Sequence, residues 1–281
     1  MFQSIQLRIL VDNQAPVGLC SEHGFSAWIE ADGTQVLFDT GAGRCLTTNA
    51  EKLGINLARV SALVLSHGHY DHSGGLVDFL RLNQKANIHF GLKTDRIRYA
   101  CHPDQPPRNI GMPAEAAAAL AGLPLERRHL LHEPHWLAPG IGVTGPIPRL
   151  KAFEDTGGPF YLDPEKQEKD TIVDEQALWL QSPKGLVIVV GCCHAGIVNT
   201  VNYIRRISGF TRIHALFGGL HLQGASEERF CQTLQALKDW QPDLLVPCHC
   251  TGEKAVARLI EALGSNMVCP GQAGQDFKLD S

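Results

Sequence analysis

The feature that most constrains this chain is a run of six residues, His67-Gly68-His69-Tyr70-Asp71-His72, which follows directly on the apolar segment 62–65. A continuous apolar run of that length reads as a buried strand. Three imidazoles and a carboxylate therefore stand where the chain leaves its core. In an extended loop, residues two apart point the same way, so His67 and His69 can face one cation while Asp71 and His72 address a second. Neutral imidazole and carboxylate are donors that suit zinc, iron or manganese. Glycine at 68 lets the backbone fold closely around the ions. A polar surface loop would not explain four ligand-type residues gathered at the end of a buried strand.

The same arrangement recurs along the chain. Segments 5–11 and 27–30 read as strands, and 35–38 ends in Asp39-Thr40-Gly41. A short helix is expected at 51–54 and an amphipathic one from 76 to about 82. In the second half, 177–180 and 186–190 read as a hairpin whose second strand runs into Gly191-Cys192-Cys193-His194-Ala195-Gly196. A helix follows at about 198–207, and the strand 213–217 ends in Gly218-Gly219-Leu220-His221. After a helix at about 227–239, the strand 244–246 ends in Pro247-Cys248-His249-Cys250-Thr251-Gly252, and a helix at about 253–263 precedes a short terminal strand. Strands and helices alternate in both halves, which predicts a layered α/β domain with its polar residues gathered at one sheet edge. Residues 91–135 fit this least well. They hold prolines, the helix-forming alanine run 114–121 and His129, His132 and His135, to which no role is assigned. The stretch is expected to be an insertion or lid within a single domain spanning 1–281.

Composition narrows the function. Of 281 residues, 44% are hydrophobic and 19% charged, enough for a substantial core. The net charge of −4, with Lys and Arg scattered, lacks the basic footprint of a nucleic-acid binder. No basic start followed by an apolar run marks a signal peptide, and no stretch approaches the roughly 20 apolar residues of a membrane span. A cytoplasmic protein is expected, with no membrane partner. The nine cysteines are odd in number and sit at no framework spacing, so they read as reduced thiols.

The run His67-x-His69-x-Asp71-His72 after a strand resembles the signature of the metallo-β-lactamase superfamily, and Asp39-Thr40-Gly41 matches its early Asp-bearing strand end. The resemblance implies a four-layer αββα sandwich with the metals at one edge. Glu22-His23-Gly24, the segments around His194 and His221, and Pro247-Cys248-His249-Cys250-Thr251-Gly252 narrow it further. Together they resemble the subfamily labelled 7,8-dihydropterin-6-methyl-4-(β-D-ribofuranosyl)aminobenzene 5′-phosphate synthase-like. By this resemblance His194 completes a first metal site with His67 and His69, and His249 joins Asp71 and His72 at a second. Asp39 would support a ligand histidine from behind. His221 resembles the extra histidine with which some phosphodiesterases of the superfamily protonate a leaving group, and His23 would line the pocket. The chain departs from the superfamily pattern in two places. The usual third histidine is absent near Thr144-Gly145-Pro146, and Cys192 stands about where a bridging aspartate belongs. Water, Cys192 and Asp170 remain open as the bridging donor.

Two divalent cations, zinc with iron or manganese as alternatives, would sit about 3.5–4 Å apart and generate hydroxide near neutral pH. Asp71 and His221 are the catalytic candidates, and the N–H groups around Gly218 and Gly219 would cradle an anion. The expected activity is hydrolysis of a phosphoester or ester-like bond in a small anionic metabolite. The alternatives are a synthase joining a pterin to an arylamine, and a non-enzymatic or redox metal protein. Diiron oxygen-reducing relatives carry Glu where this chain has His69, which argues against the redox reading.

Overall fold

The computed structural model describes residues 1–279. Alternation along strand β1 (Ile5–Val11) sends Ile5, Leu7 and Ile9 into one buried layer, with Leu10 and Val11 facing another. Strands β2 (Ser26–Ala31) and β3 (Thr34–Phe38) continue it as an antiparallel meander. Helix α1 (Leu46–Lys52), strand β4 (Ala62–Val64), helices α2 (Tyr70–Ser73) and α3 (Leu76–Leu82) and strand β5 (Asn87–Gly91) follow. The middle holds β6 (Tyr99–Ala100), β7 (Arg108–Asn109), α4 (Ala114–Ala121), β8 (Arg128–Leu131), β9 (His135–Ala138), β10 (Ile141–Val143) and β11 (Phe160–Tyr161). The last third comprises β12 (Leu178–Ser182), β13 (Gly185–Val190), α5 (Ile197–Ser208), β14 (Ile213–Gly219), α6 (Glu227–Trp240), β15 (Leu244–Cys248), α7 (Glu253–Leu263) and β16 (Asp276–Lys278).

Seven strands form one sheet in the order β16-β1-β2-β3-β4-β5-β8, and six form a second in the order β15-β14-β13-β12-β10-β9. The two sheets share a core in which Leu7, Ile29, Phe38 and Val64 meet Leu178, Val187, Val189 and Phe217. The outer face of the first sheet is covered by α1, α3 and α4 through Leu46, Phe79 and Leu120. The outer face of the second is covered by α5, α6 and α7 through Val201, Phe230 and Leu259. This is the four-layer αββα sandwich. Because β13 is buried on both faces, it reads as an unbroken apolar run rather than an alternating one.

The functional edge follows from strand direction. Strands β3, β4 and β5 are mutually parallel, as are β13, β14 and β15. Their C-terminal ends fall together, with Phe38 opposite Val64, Val190 opposite Gly218 and Gly219 opposite Cys248. The loops leaving these ends carry Asp39, the histidine run, Cys192, His194, His221 and His249 to one rim.

Three expectations are corrected. The short helix expected to include 51–54 spans Leu46–Lys52, so it begins earlier and ends before 53. Cys20 and Cys45 form a disulfide, while the other seven cysteines are free. Their separation of 25 residues follows no framework spacing; Asn49 sets the approach, bonding both the N–H and the carbonyl of Cys20. Residues 91–135 are also not one insertion. Ala116 and Leu120 of α4 enter the core, and β8 pairs in parallel with β5 as a strand of the main sheet. The alanine run thus belongs to a βαβ unit. Between β5 and α4 the stretch also carries β6 and β7, which pair with β11 as a third, small sheet in the order β11-β6-β7. Among the described residues no helix is long and apolar enough to cross a membrane.

Candidate metal centre

The loop after β4 is held from behind before it presents any ligand. The Asp39 carboxylate accepts from the Ser66 N–H at 2.6 Å and from Ser66 Oγ at 2.7 Å, and lies 2.7 Å from His72 Nδ1. Asp174 accepts the Gly68 N–H at 2.8 Å and is itself clasped by Arg98 at 2.6 Å. A Cβ on Gly68 would lie 1.8 Å from the Thr94 carbonyl oxygen, so only glycine lets the loop pass this close. On the other sheet, Glu175 accepts the backbone N–H groups of His194 and Ala195. Asn13 Oδ1 lies 2.8 Å from His249 Nδ1, and Asp12 accepts the His249 N–H at 2.8 Å. Asp39, Cys193, His221 and His249 all hold positive φ, between +45° and +60°. Such strained backbone persists where the surrounding structure over-determines it and is concentrated at functional sites.

The ring atoms left over converge. His67 Nε2 lies 2.9 Å from His69 Nδ1. His194 bonds the Thr156 carbonyl through Nδ1 at 2.7 Å, which leaves its Nε2 turned inward. Asp71 Oδ2 lies 3.1 Å from His23 Nε2 and 3.4 Å from His249 Nε2. His72 Nε2 lies 3.1 Å from Cys192 Sγ. Groups close enough to hold a cation are His67, Cys192 and His194; His72, Cys192 and His249; Cys192, His221 and Cys250; and His23, Asp71 and His249. The His69, His194 and His249 Nε2 atoms are buried without a hydrogen-bond partner. Buried polar atoms are rarely left so; His69 turns its Nδ1, not this Nε2, toward His67, and the His194 and His249 nitrogens beside Asp71 and Cys192 are donors that suit a divalent cation. The residues therefore fit the metals that the resemblance implies.

The electrostatics agree. Burial, then the neighbouring imidazole His72, holds His67 well below the usual histidine range. Burial followed by Arg98 does the same for His69, and burial followed by His221 for His194, so all three are neutral donors. Burial would raise Asp71, but the neighbouring imidazoles of His72, His23 and His249 outweigh it and keep the carboxyl ionised. For His72, burial is overcome by Asp39 and Asp71, which push its pKa up to about 9. The field that favours a proton there would equally favour a divalent cation in its place, and a bound cation would displace that proton. Burial likewise opposes charge on His221, yet the Cys250 sulfur beside it outweighs burial and raises its pKa.

Most of the sequence-predicted residues meet at this rim, including His23, which reaches Asp71 directly. Three do not serve as expected. Gly219 donates its N–H to the Gly191 carbonyl at 2.8 Å, and the Gly218 N–H faces the Cys248 sulfur. These glycines have no N–H to offer an anion. They are needed for closeness: a Cβ on Gly218 would lie 1.9 Å from the Val190 carbonyl oxygen, and one on Gly219 would lie 2.4 Å from Cys250 Sγ. Asp170 is paired with Arg98 at 3.5 Å; neither it nor His69 belongs to a donor group among the described residues, although His69 Nδ1 lies 2.9 Å from His67 Nε2 at the rim and Asp170 shows no such contact. Conversely, sequence reasoning passed over Cys250, Asn13, Glu175 and Phe160. The Phe160 ring, delivered by β11, packs against His69 and His194 at 5.4 Å each and against His221 at 6.0 Å. Cys250 was legible as a neighbour of His249; a lone phenylalanine in a loop carries no signal.

An αββα sandwich with this rim defines a class of metal-binding proteins. The metallo-beta-lactamase superfamily model matches residues 22–175, and the chain belongs to that superfamily. It is 32% identical over 254 residues to the 7,8-dihydropterin-6-methyl-4-(beta-D-ribofuranosyl)-aminobenzene-5'-phosphate synthase of Methanocaldococcus jannaschii, covering 86% of this chain and 85% of that protein. An uncharacterized protein of the same organism is 32% identical over 256 residues, covering 90% and 93% of the two chains. Among solved structures, a metal-dependent hydrolase of the beta-lactamase superfamily superposes with a TM-score of 0.80 at 28% identity, over 99% of this chain and 100% of that one. A diphosphatase from the PhnP family shares the fold at 14% identity, with a TM-score of 0.55 over 100% and 99% of the two chains.

Proposed function

We propose that this chain is a dinuclear metal-dependent hydrolase acting on a phosphoester or ester-like bond in a small anionic metabolite. The observation that carries the reading is the convergence of unpartnered, buried imidazole nitrogens with Asp71 on one rim. His67, His69 and His194 would hold one cation, and Asp71, His72 and His249 the other, with zinc first and iron or manganese as alternatives. When bound, such a pair supplies hydroxide near neutral pH and neutralises charge on a phosphoryl or carbonyl oxygen. The chain's own groups do the rest. His221, held above the usual range, donates a proton to the leaving group. Phe160 covers the histidines and limits water, and Asp39 orients His72. The substrate is a small molecule, since the net charge of −4 does not suit a nucleic-acid partner.

The relative at 32% identity supports a second reading, a synthase joining a pterin to an arylamine with loss of a leaving group. The same donors would serve, with His221 again protonating what departs. The experiment takes metal content first: close to two cations per chain by elemental analysis, falling in His69→Ala. The loaded protein is then given a panel of phosphoesters and, separately, a ribosyl arylamine phosphate with a pterin whose side chain carries a phosphate or diphosphate leaving group, which the arylamine would displace. Phosphate release from the panel supports the hydrolase; condensation without hydrolysis supports the synthase. Absence of metal after reconstitution would sink both.

A further inference from the structure

One side chain lies between the two donor sets. Cys192 Sγ lies within 4.8 Å of the ring nitrogens of His67 and His194 on one side and of His72 and His249 on the other. It lies 3.1 Å from His72 Nε2. We propose that Cys192 is a thiolate shared by both cations, an inference that rests on the dinuclear reading above.

The other free cysteines show that this placement is not a property of cysteine in this fold. Cys193, the next residue, adopts φ +58° and turns its sulfur to Thr200 Oγ1 at 3.5 Å, away from the rim. Cys248 faces the Val246 carbonyl in the core between the sheets. Cys101, Cys231 and Cys269 belong to no donor group among the described residues. Cys250 comes nearest, but its one group is that of Cys192 and His221, and its sulfur rests 3.5 Å from the Cys192 carbonyl oxygen. Among the described residues only Cys192 belongs both to the group of His67 and to that of His72. Its position depends on Gly191, where a Cβ would lie 2.2 Å from Ser66 Oγ. The end of β13 and the loop after β4 could not otherwise approach so closely.

The chemistry balances without a redox partner. The thiol loses its proton to solvent as the cations bind, and the sulfur lone pairs form the two new bonds. A single-atom soft donor favours zinc, iron(II), cobalt or cadmium over manganese, so the shared sulfur also narrows the choice of metal.

Cadmium NMR of the fully loaded chain tests the sharing, with elemental analysis of the same sample. Two cadmium ions per chain and two resonances displaced by sulfur are expected. Both should move on Cys192→Ser, and at least one should stay in place on Cys250→Ser. If only one resonance moves on Cys192→Ser, the sulfur is a terminal ligand and the proposal is wrong; if neither moves, it is no ligand at all. Two bound cadmium ions with no sulfur displacement would remove Cys192 and leave the dinuclear reading standing. Fewer than two ions in the wild type would remove both. Should Cys192→Ser not fold, X-ray absorption of the cadmium-loaded Cys250→Ser chain decides instead: sulfur at each cadmium supports sharing, and sulfur at one cadmium only refutes it.

Discussion

Asp39 adopts φ +60°, a backbone position that side chains other than glycine rarely take. What holds it there is the set of groups on its carboxylate: Ser66 N–H, Ser66 Oγ and His72 Nδ1. The carboxylate fixes the proton on Nδ1 and leaves Nε2 of His72 for a cation. Asp39→Ala should therefore weaken metal binding by about 10–100-fold, read by competition with a chelator, whereas Asp39→Asn should lose less because an acceptor oxygen remains. Unchanged affinity in Asp39→Ala would mean that packing alone orients His72. At this scale the histidine run was legible because ligand-type residues follow directly on an apolar run, whereas His194 and His249 were picked out through the family resemblance; the structure brings all of them to one rim. Asn13 and Glu175 were not legible, because they act from other elements on His249 and His194 and carry no local pattern.

Elements with one clear periodicity were read to within a residue or two: β1, α3, α6 and α7 stand where the alternation or the helical spacing puts them. The stretch 91–135 was misread because α4 and β8 are separated from β5 by β6 and β7 of the small third sheet, and that interruption hides the βαβ unit to which they belong. The interruption has an anchor. Arg98, 1% exposed, donates to Asp174 at 2.6 Å and faces Asp170 at 3.5 Å, and Asp174 in turn holds the Gly68 N–H. This buried group ties the interrupting segment to the histidine loop. Removing the cation strands two carboxylates in the interior, and a broken buried pair costs about 3–5 kcal/mol. Arg98→Met should show a loss of that order in urea unfolding, together with reduced metal occupancy. Loss of stability with metal content intact would mean that the anchor supports the fold and not the loop.

At the scale of the whole molecule, the two sheets also meet at an edge remote in function from the metals. His89 on β5 and His129 on β8 stack with ring centroids 4.6 Å apart, and His135 on β9 of the other sheet approaches His89 at 5.3 Å. Burial, then His129 and His135, lowers the His89 pKa from 6.5 to about 3. A base whose pKa is lower in the folded state binds fewer protons there than in the unfolded chain. Its contribution is therefore intact above pH 6.5 and is lost as the pH falls through that value toward about 3. At about pH 5 the loss should be on the order of 1–2 kcal/mol, since a tenfold change in a protonation equilibrium corresponds to about 1.4 kcal/mol. Urea unfolding at pH 7 and at about pH 5, for the wild type and for His89→Phe, tests this contribution. The wild type should lose more stability between the two conditions than the variant. Equal losses would place the acid sensitivity elsewhere. If the loss does arise here, amide exchange should open β8 and β9 before β4 and β13, which lead into the histidine run and His194. β8 and β9 are the outermost strands of their sheets, joined across the gap by this stack, whereas β4 and β13 are paired on both sides.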